Sequence, residues 1–312
     1  MAKDNNGYVA APRKKMKRST SDIIYDVIVF IILTFFFIIA AYPLYFIVIS
    51  SISSPDAVAG GKVVLYPVGI NFKGYAEVFK NSQILTGFIN SIVYSVVGTL
   101  LNLVVTLPTG YALSRSKFAG RKIVTVFYLI TMFISGGMIP TYLVVKDLNL
   151  LDTMWSLILP GSLGVYNMIV CRTFFKSNIS EELYEAAEID GCGHGRFFFS
   201  IALPLSGAII AIMVLYYGVG HWNEYFNALL YMKTDTKFPL QLVLRSILVQ
   251  NQSQSAQTVT SIAQQRALEE KRQLVELMKY SLIIVSSLPV LIIYPLVQKH
   301  FVKGVMIGSV KG

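Results

Sequence analysis

The stretch IIYDVIVFIILTFFFIIAAYPLYFIVI, residues 23–49, contains a single charged side chain, Asp26. A helix needs about 20 consecutive apolar residues to cross roughly 30 Å of hydrocarbon. A run this long that is apolar on every side has no exposed polar face to give to water, so it belongs in a bilayer. It follows a basic segment (Arg13, Lys14, Lys15, Lys17, Arg18), as a secretory signal would. The run is too long for such a signal, however, and no small-x-small cleavage site follows it, so it is expected to stay attached as a start-transfer helix.

Five further stretches repeat the pattern, approximately 84–113, 122–145, 153–173, 202–232 and 277–299. The composition agrees, with 54% hydrophobic and 14% charged residues in 312. The chain is therefore expected to be an all-α integral membrane protein with six transmembrane helices. Its net charge of +10 would suggest nucleic acid in a soluble protein. Here the basic residues flank apolar runs, which makes them topological signals, and no nucleic-acid partner is expected.

Lysine and arginine in short flanks resist translocation. Residues 13–18, then Arg115, Lys117, Arg121 and Lys122, then Arg172, Lys176 and Arg196, then Lys299, Lys303 and Lys311 alternate so as to fall on one side. That side is read as the cytoplasm, with both termini inside, although the basic residues between Lys233 and Lys279 weakly oppose the rule. Cys171 and Cys192 then lie on the reducing side, where no disulfide is expected. Residues 1–22 read as a basic cytoplasmic tail and 23–312 as one six-helix transmembrane domain, with an outer segment at 233–276. That segment contains an amphipathic run, Pro239 to Leu248, and is either a platform for a soluble partner or a solvated connector.

Proline and glycine interrupt several spans, at Pro43, Pro108, Gly136 with Gly137, Pro160 with Gly161, Pro204, Gly218 with Gly220, Pro289 and Pro295. Broken backbone at membrane depth is tolerated beside protein or a water-filled cavity, which favours a transport path. Aromatic rings beside a few polar groups are what a path for a polar organic solute would offer. Tyr216, Tyr217, His221, Trp222, Asn223, Glu224 and Asn227 in the fifth span, with Asn90 and Tyr94 in the second, form the candidate substrate path or gate. The same residues also suit an ordinary interfacial belt, and Glu224 a helix-to-helix hydrogen bond.

Between the fourth and fifth spans lies Ser180-Glu181-Glu182-Leu183-Tyr184-Glu185-Ala186-Ala187-Glu188-Ile189-Asp190-Gly191. Ser180 suits an N-cap, Glu181 and Glu182 complement the helix dipole, and Gly191 suits the left-handed position that ends a helix. Leu183, Ala186 and Ala187 form a small apolar face, and Glu181, Glu185 and Glu188 an acidic one. The pattern describes a docking peg or, more plainly, an interfacial connector. Glu185-Ala186-Ala187, Asp190-Gly191, Ile201 and Leu203-Pro204 resemble the EAA signature of permease subunits of binding-protein-dependent ABC importers. Cys192 stands where Ala is common, and Ser180 where Pro often precedes the helix.

Tyr111 to Arg115, Met138 to Tyr142, Trp155 to Pro160, Trp222 to Glu224 and Gly308 to Gly312 extend the resemblance to the maltose-type carbohydrate branch, and within it to oligosaccharide permeases. The resemblance implies the type I importer permease fold in a bacterial cytoplasmic membrane. It also implies a second homologous permease, two ATPase subunits and an extracytoplasmic sugar-binding protein as partners. Glu185, Ala186, Ala187, Asp190 and Gly191 would be the ATPase-coupling residues. ATP and Mg would belong to the partner ATPase, since this chain has no phosphate-binding Gly-x-x-x-x-Gly-Lys-Ser/Thr motif and is expected to bind no cofactor and to be no enzyme. Within the family a permease for a non-sugar solute is the alternative, and against a purely structural scaffold only the coupling signature argues. An ion-coupled secondary transporter would need inverted repeats and mid-membrane carboxylates. A membrane enzyme would need a clustered metal or nucleophile site, whereas His194, His221 and His300 are scattered.

Overall fold

The computed structural model describes residues 19–254, 275 and 278–295, with 250–254 as backbone only. Residues 1–18 of the basic tail, the rest of the outer segment apart from 275, His300 and Gly308 to Gly312 lie outside the described residues, and residues 20–22, read as tail, form the first turn of a helix. Those described form helices and loops with no strand. Helix α1 spans Thr20–Ser51 and α2 Ser82–Ser114; α3 (Arg121–Phe133) and α4 (Met138–Asp147) meet at a 114° bend. Then come α5 (Val165–Asn178), α6 (Glu181–Ile189), α7 (Gly207–Trp222), α8 (Phe226–Tyr231), α9 (Leu240–Gln254) and α10 (Met278–Pro295).

Among the described residues, three helices, α1, α2 and α10, are long and apolar enough to cross a membrane, and counting each of two bent pairs as one span gives up to five. The bends explain why uninterrupted spans are not what forms. The third expected span turns at Gly136 and Gly137, where Gly137 has φ 88°. The fourth becomes a short helix, Trp155–Ile158, and α5, separated by Pro160 and Gly161. The fifth bends by 82° at Ser206, two residues beyond Pro204. Proline removes a donor and crowds the preceding turn, and glycine is the least costly residue to place in a break.

Helix α2 is the central element and packs against α5, α7 and α9. Its contact faces carry small or polar residues, including Ser91, Gly98, Asn102, Thr106 and Gly110. These allow the close helix approach that packing within lipid needs. A Cβ at Gly98 would stand 2.5 Å from His221 Nε2, and one at Gly110 2.7 Å from the Cys171 Cβ, so only glycine admits these neighbours. Apolar cores sit at both ends of α2. Tyr111, Phe175, Tyr184 and Phe197 pack at its C-terminal end. Ile84, Trp222, Leu240 and Leu282 pack at its start. Helix α1, by contrast, buries only Ile49, Ser50 and Ser51.

Candidate functional site

The segment 180–191 forms α6 as its sequence predicts. Ser180 Oγ accepts the Leu183 N–H at 3.4 Å. Beyond the helix, Gly191 takes φ 77° and donates to Glu188 O, while Cys192 donates to Ala187 O. This is the Schellman pairing that satisfies terminal carbonyls.

The faces of the peg differ from the sequence reading. Tyr184, given no role there, is the buried anchor: its ring stacks on His194 at 4.4 Å and meets Phe197 edge-on. Ala187 packs inward against the same core. The exposed apolar face is therefore Leu183, Ala186 and Ile189, with Ile189 87% exposed. Of the three carboxylates read as an acidic face, two have ion pairs among the described residues and Glu185 has none there. Glu188 meets Lys117 at 2.9 Å and Glu181 meets Arg115 at 3.4 Å. Glu185, Ala186, Asp190 and Gly191 remain exposed, so four of the five expected coupling residues face outward.

Arg115, whose sequence position suggests only a topological charge, ties the peg down. It is 4% exposed, and it donates from Nη2 to Phe175 O at 3.0 Å and Ile179 O at 2.9 Å, and from Nε to Ser114 Oγ. It thereby satisfies carbonyls at the C-terminal end of α5, where a cation also complements the dipole. Glu181 accepts the Ser116 N–H at 2.7 Å as well as the guanidinium. Partial burial works against its charge, but the bonds from Ser116 and the positive charges of Arg115 and Lys117 prevail and hold its carboxyl below the usual range. The hydrogen bond from Lys117 likewise holds Glu188 down. The peg is thus fixed to the end of α2 at both its first and last turns.

Near the middle of α2, Asn102 is fully buried. Its Nδ2 donates to Gly161 O at 2.7 Å and Ser162 O at 2.9 Å, and its Oδ1 receives His221 Nε2 at 2.7 Å. Tyr217 OH accepts the Gly164 N–H and shares a 2.7 Å bond with Thr106 Oγ1. Two side chains of α2 thus serve the break after Pro160 directly or through Tyr217, as broken backbone at membrane depth demands.

Beside this network lies a cleft of about 220 Å³ lined by Pro160, Gly161, Tyr216, Tyr217, His221, Glu224 and Asn227. Five of the expected path residues meet there: Tyr216, Tyr217, His221, Glu224 and Asn227. The others lie elsewhere. Asn90 donates to Thr236 O and Phe238 O, and Tyr94 to Lys237 O, so both hold the start of the outer segment. Trp222 is buried and donates to Ser286 O of α10, and Asn223 is exposed outside the cleft. Glu224 accepts the Asn227 N–H and Nδ2, each at 3.0 Å, and so starts α8. Asp152 fastens the outer segment from the other side through Lys233 N, Thr234 and Lys237 Nζ, and these donors hold its carboxyl far below the usual range.

Asn102, Thr106, Tyr184 and Asp152 escaped the sequence reading because each is an ordinary residue until its partner is placed. His194 and His221 are separately engaged, and among the described residues no three or more potential ligands gather to hold a metal.

No family model matches the chain. Among curated proteins, it is 37% identical over 297 residues to Protein LplC of Bacillus subtilis, covering 95% of this chain and 98% of that one. It is 35% identical over 289 residues to the polygalacturonan/rhamnogalacturonan transport system permease protein YtcP of Bacillus subtilis, covering 93% and 99%. Among solved structures, a chain of a bacterial ABC transporter involved in the import of the acidic polysaccharide alginate superposes with a TM-score of 0.82 at 32% identity, covering 91% of this chain and 99% of that one.

Proposed function

This chain belongs to the family of permease subunits of sugar ABC importers, and we propose that it forms half of the path for an oligosaccharide delivered by an extracytoplasmic binding protein. Relatives named for polygalacturonan and arabinooligosaccharide transport, together with the alginate importer, support a saccharide cargo. In this reading the chain crosses a bacterial cytoplasmic membrane six times with both termini inside. Residues 1–22 form a tail, 23–312 the permease domain and 233–276 an outer segment. A second homologous permease supplies the other half of the path, and two ATPase subunits hold ATP and Mg.

The observation that carries the mechanism is the attachment of α6 to α2 through Arg115, Glu181, Lys117 and Glu188. The exposed face around Glu185, Ala186, Asp190 and Gly191, with Leu183 and Ile189, seats in an ATPase cleft. Closure of the ATPase pair moves the peg, and α2 carries that displacement to the cleft held by Asn102 and Tyr217, a rigid-body change between two states. Tyr216 and Tyr217 offer ring surface to the sugar, and His221, Glu224 and Asn227 offer polar edges.

The test is reconstitution of the complete importer in vesicles with its binding protein and a panel of labelled oligosaccharides. Uptake should require ATP and persist when a protonophore collapses the proton gradient. Uptake abolished by the protonophore with ATP intact would reject the reading.

A further inference from the structure

The loop between α1 and α2 has a feature that the transport reading does not use. From Val63 to Phe72 the sequence VVLYPVGINF has no charged residue, and it is bounded by exposed Lys62 and Lys73. Its large side chains are displayed outward: Leu65 is 56% exposed, Tyr66 76%, Ile70 65% and Phe72 63%. Only Val63 turns in, against Ile49 and Ala57.

The loop does not rise away from the helix ends. Tyr42 OH donates to Val64 O at 3.2 Å, and Tyr45 OH donates to Leu65 O. Both tyrosines belong to α1, which continues to Ser51. At 1.5 Å per residue, the Cα atoms of Tyr42 and Tyr45 lie roughly 9–14 Å back from that end, so the loop folds back along the helix far enough for their hydroxyls to reach it. About 20 residues counted from Val27, the first residue beyond Asp26, bring α1 to the far edge of the hydrocarbon core near Phe46, so Tyr45 stands at that edge and Tyr42 about one turn inside it, in the leaflet away from α6.

Irregular backbone survives near lipid only when its polar groups are paired. Several of this loop's backbone groups are paired: beside the two tyrosine bonds, Val68 N–H donates to Ser53 Oγ, Ser54 N–H to Val68 O, and Asn71 N–H to Ile52 O, which suits a segment at headgroup depth rather than one within the hydrocarbon. Tyrosine at a membrane boundary and lysines reaching outward at the ends of an apolar stretch suit an interfacial segment.

The geometry points to residues 63–72 as a lipid-facing anchor, inserted among the headgroups and upper acyl chains of the leaflet opposite the coupling helix. Its partner is the bilayer, not a soluble protein. The uncharged run lacks the ionic groups that a reversible protein contact of a polar rim would use, while its apolar side chains gain most from burial in the interface. The anchor fixes the depth of α1 and of the turn leading to α2.

Spin labels read this directly. Single cysteines replacing Leu65, Tyr66 and Ile70, with Lys62→Cys and Lys73→Cys as flanking controls, are introduced in a Cys192→Ser background that keeps the buried Cys171. The intact importer is reconstituted in phosphatidylglycerol–phosphatidylethanolamine vesicles, and collision with oxygen, which concentrates in hydrocarbon, is compared with collision with a water-soluble nickel chelate. Labels at 65, 66 and 70 should be oxygen-accessible and nickel-protected, the flanking labels the reverse, and adding the binding protein should change neither. Nickel access at 65 and 70 equal to that at 62 would overturn the proposal. Shielding from both reagents, or occlusion on adding the binding protein, would assign the loop to a protein contact and overturn it equally. The double variant Tyr42→Phe, Tyr45→Phe should shift the label at 65 toward nickel access. Because the measurement reads depth without transport, the anchor can fail while the importer assignment stands.

Discussion

Arg115 carries a buried charge that is matched on nearly every side: two carbonyls at the C-terminal end of α5, the Ser114 hydroxyl, the Glu181 carboxylate and the face of Tyr111 at 5.1 Å. Removing one partner of such a set leaves the others desolvated without compensation, at a cost of about 3 kcal/mol. Arg115→Met should therefore lower the thermal midpoint of the purified complex. It should also reduce uptake more than binding-protein-stimulated ATP hydrolysis, because the peg can dock while its tie to α2 is loose. Equal loss of both activities would make Arg115 merely structural. A pH dependence follows from Glu181, whose folded carboxyl is held below its ordinary value near 4.3. A depressed acid contributes stability above the unfolded value and loses it as pH falls through the folded one. The difference in thermal midpoint between the native chain and Glu181→Gln should stay level from about pH 7 to pH 5 and shrink below about pH 4.

At the scale of elements, what could be read from sequence was what depends on near neighbours. The apolar run of α1, the cap at Ser180, the stop at Gly191 and the weak points at Gly136, Gly137, Pro160 and Gly161 all follow from residues within a turn or two. What could not be read depends on distant pairs. Asn102 looks like a stray polar residue in an apolar helix, yet its partners are 59, 60 and 119 positions away. Asn90 and Trp222 have the composition of a sugar site and instead hold other segments, because a tyrosine, tryptophan or asparagine can serve either purpose until its hydrogen bonds are placed. Asn102→Leu should strand Gly161 O, Ser162 O and His221, at about 1–3 kcal/mol for each group left unpaired. Thermal unfolding in detergent should show a loss far beyond that of Asn223→Leu, whose side chain is exposed. The stop at Gly191 makes a different demand. Open space surrounds its Cα, so a larger side chain meets only backbone strain at φ 77°, about 1–2 kcal/mol. Gly191→Val should leave the complex assembled while lowering uptake per ATP hydrolysed; full coupling in that variant would count against the peg.

For the molecule as a whole, α2 is the element that joins the ends. Its 33 residues span roughly 50 Å as a helix. At one end Arg115 and Lys117 bind α6; near the other, Asn90, Ser91 and Tyr94 hold residues 236–240. Asp152 adds a second fastening on the same outer segment. A chain braced at both ends of one continuous helix should move as a unit when force reaches the peg, with the large displacements falling between this permease and its partner. Spin labels at Ile189→Cys and Asp235→Cys, both exposed, test this in a Cys192→Ser background of the assembled importer. The distance between the two labels should be the same in the nucleotide-free and ATP-trapped states. Over the same transition, the distance from Ile189→Cys to a label on the partner permease should change. If the distance within this chain changes instead, the displacement is absorbed at a bend such as Gly136–Gly137 or Ser206, and α2 is not the element that carries motion from ATPase to gate.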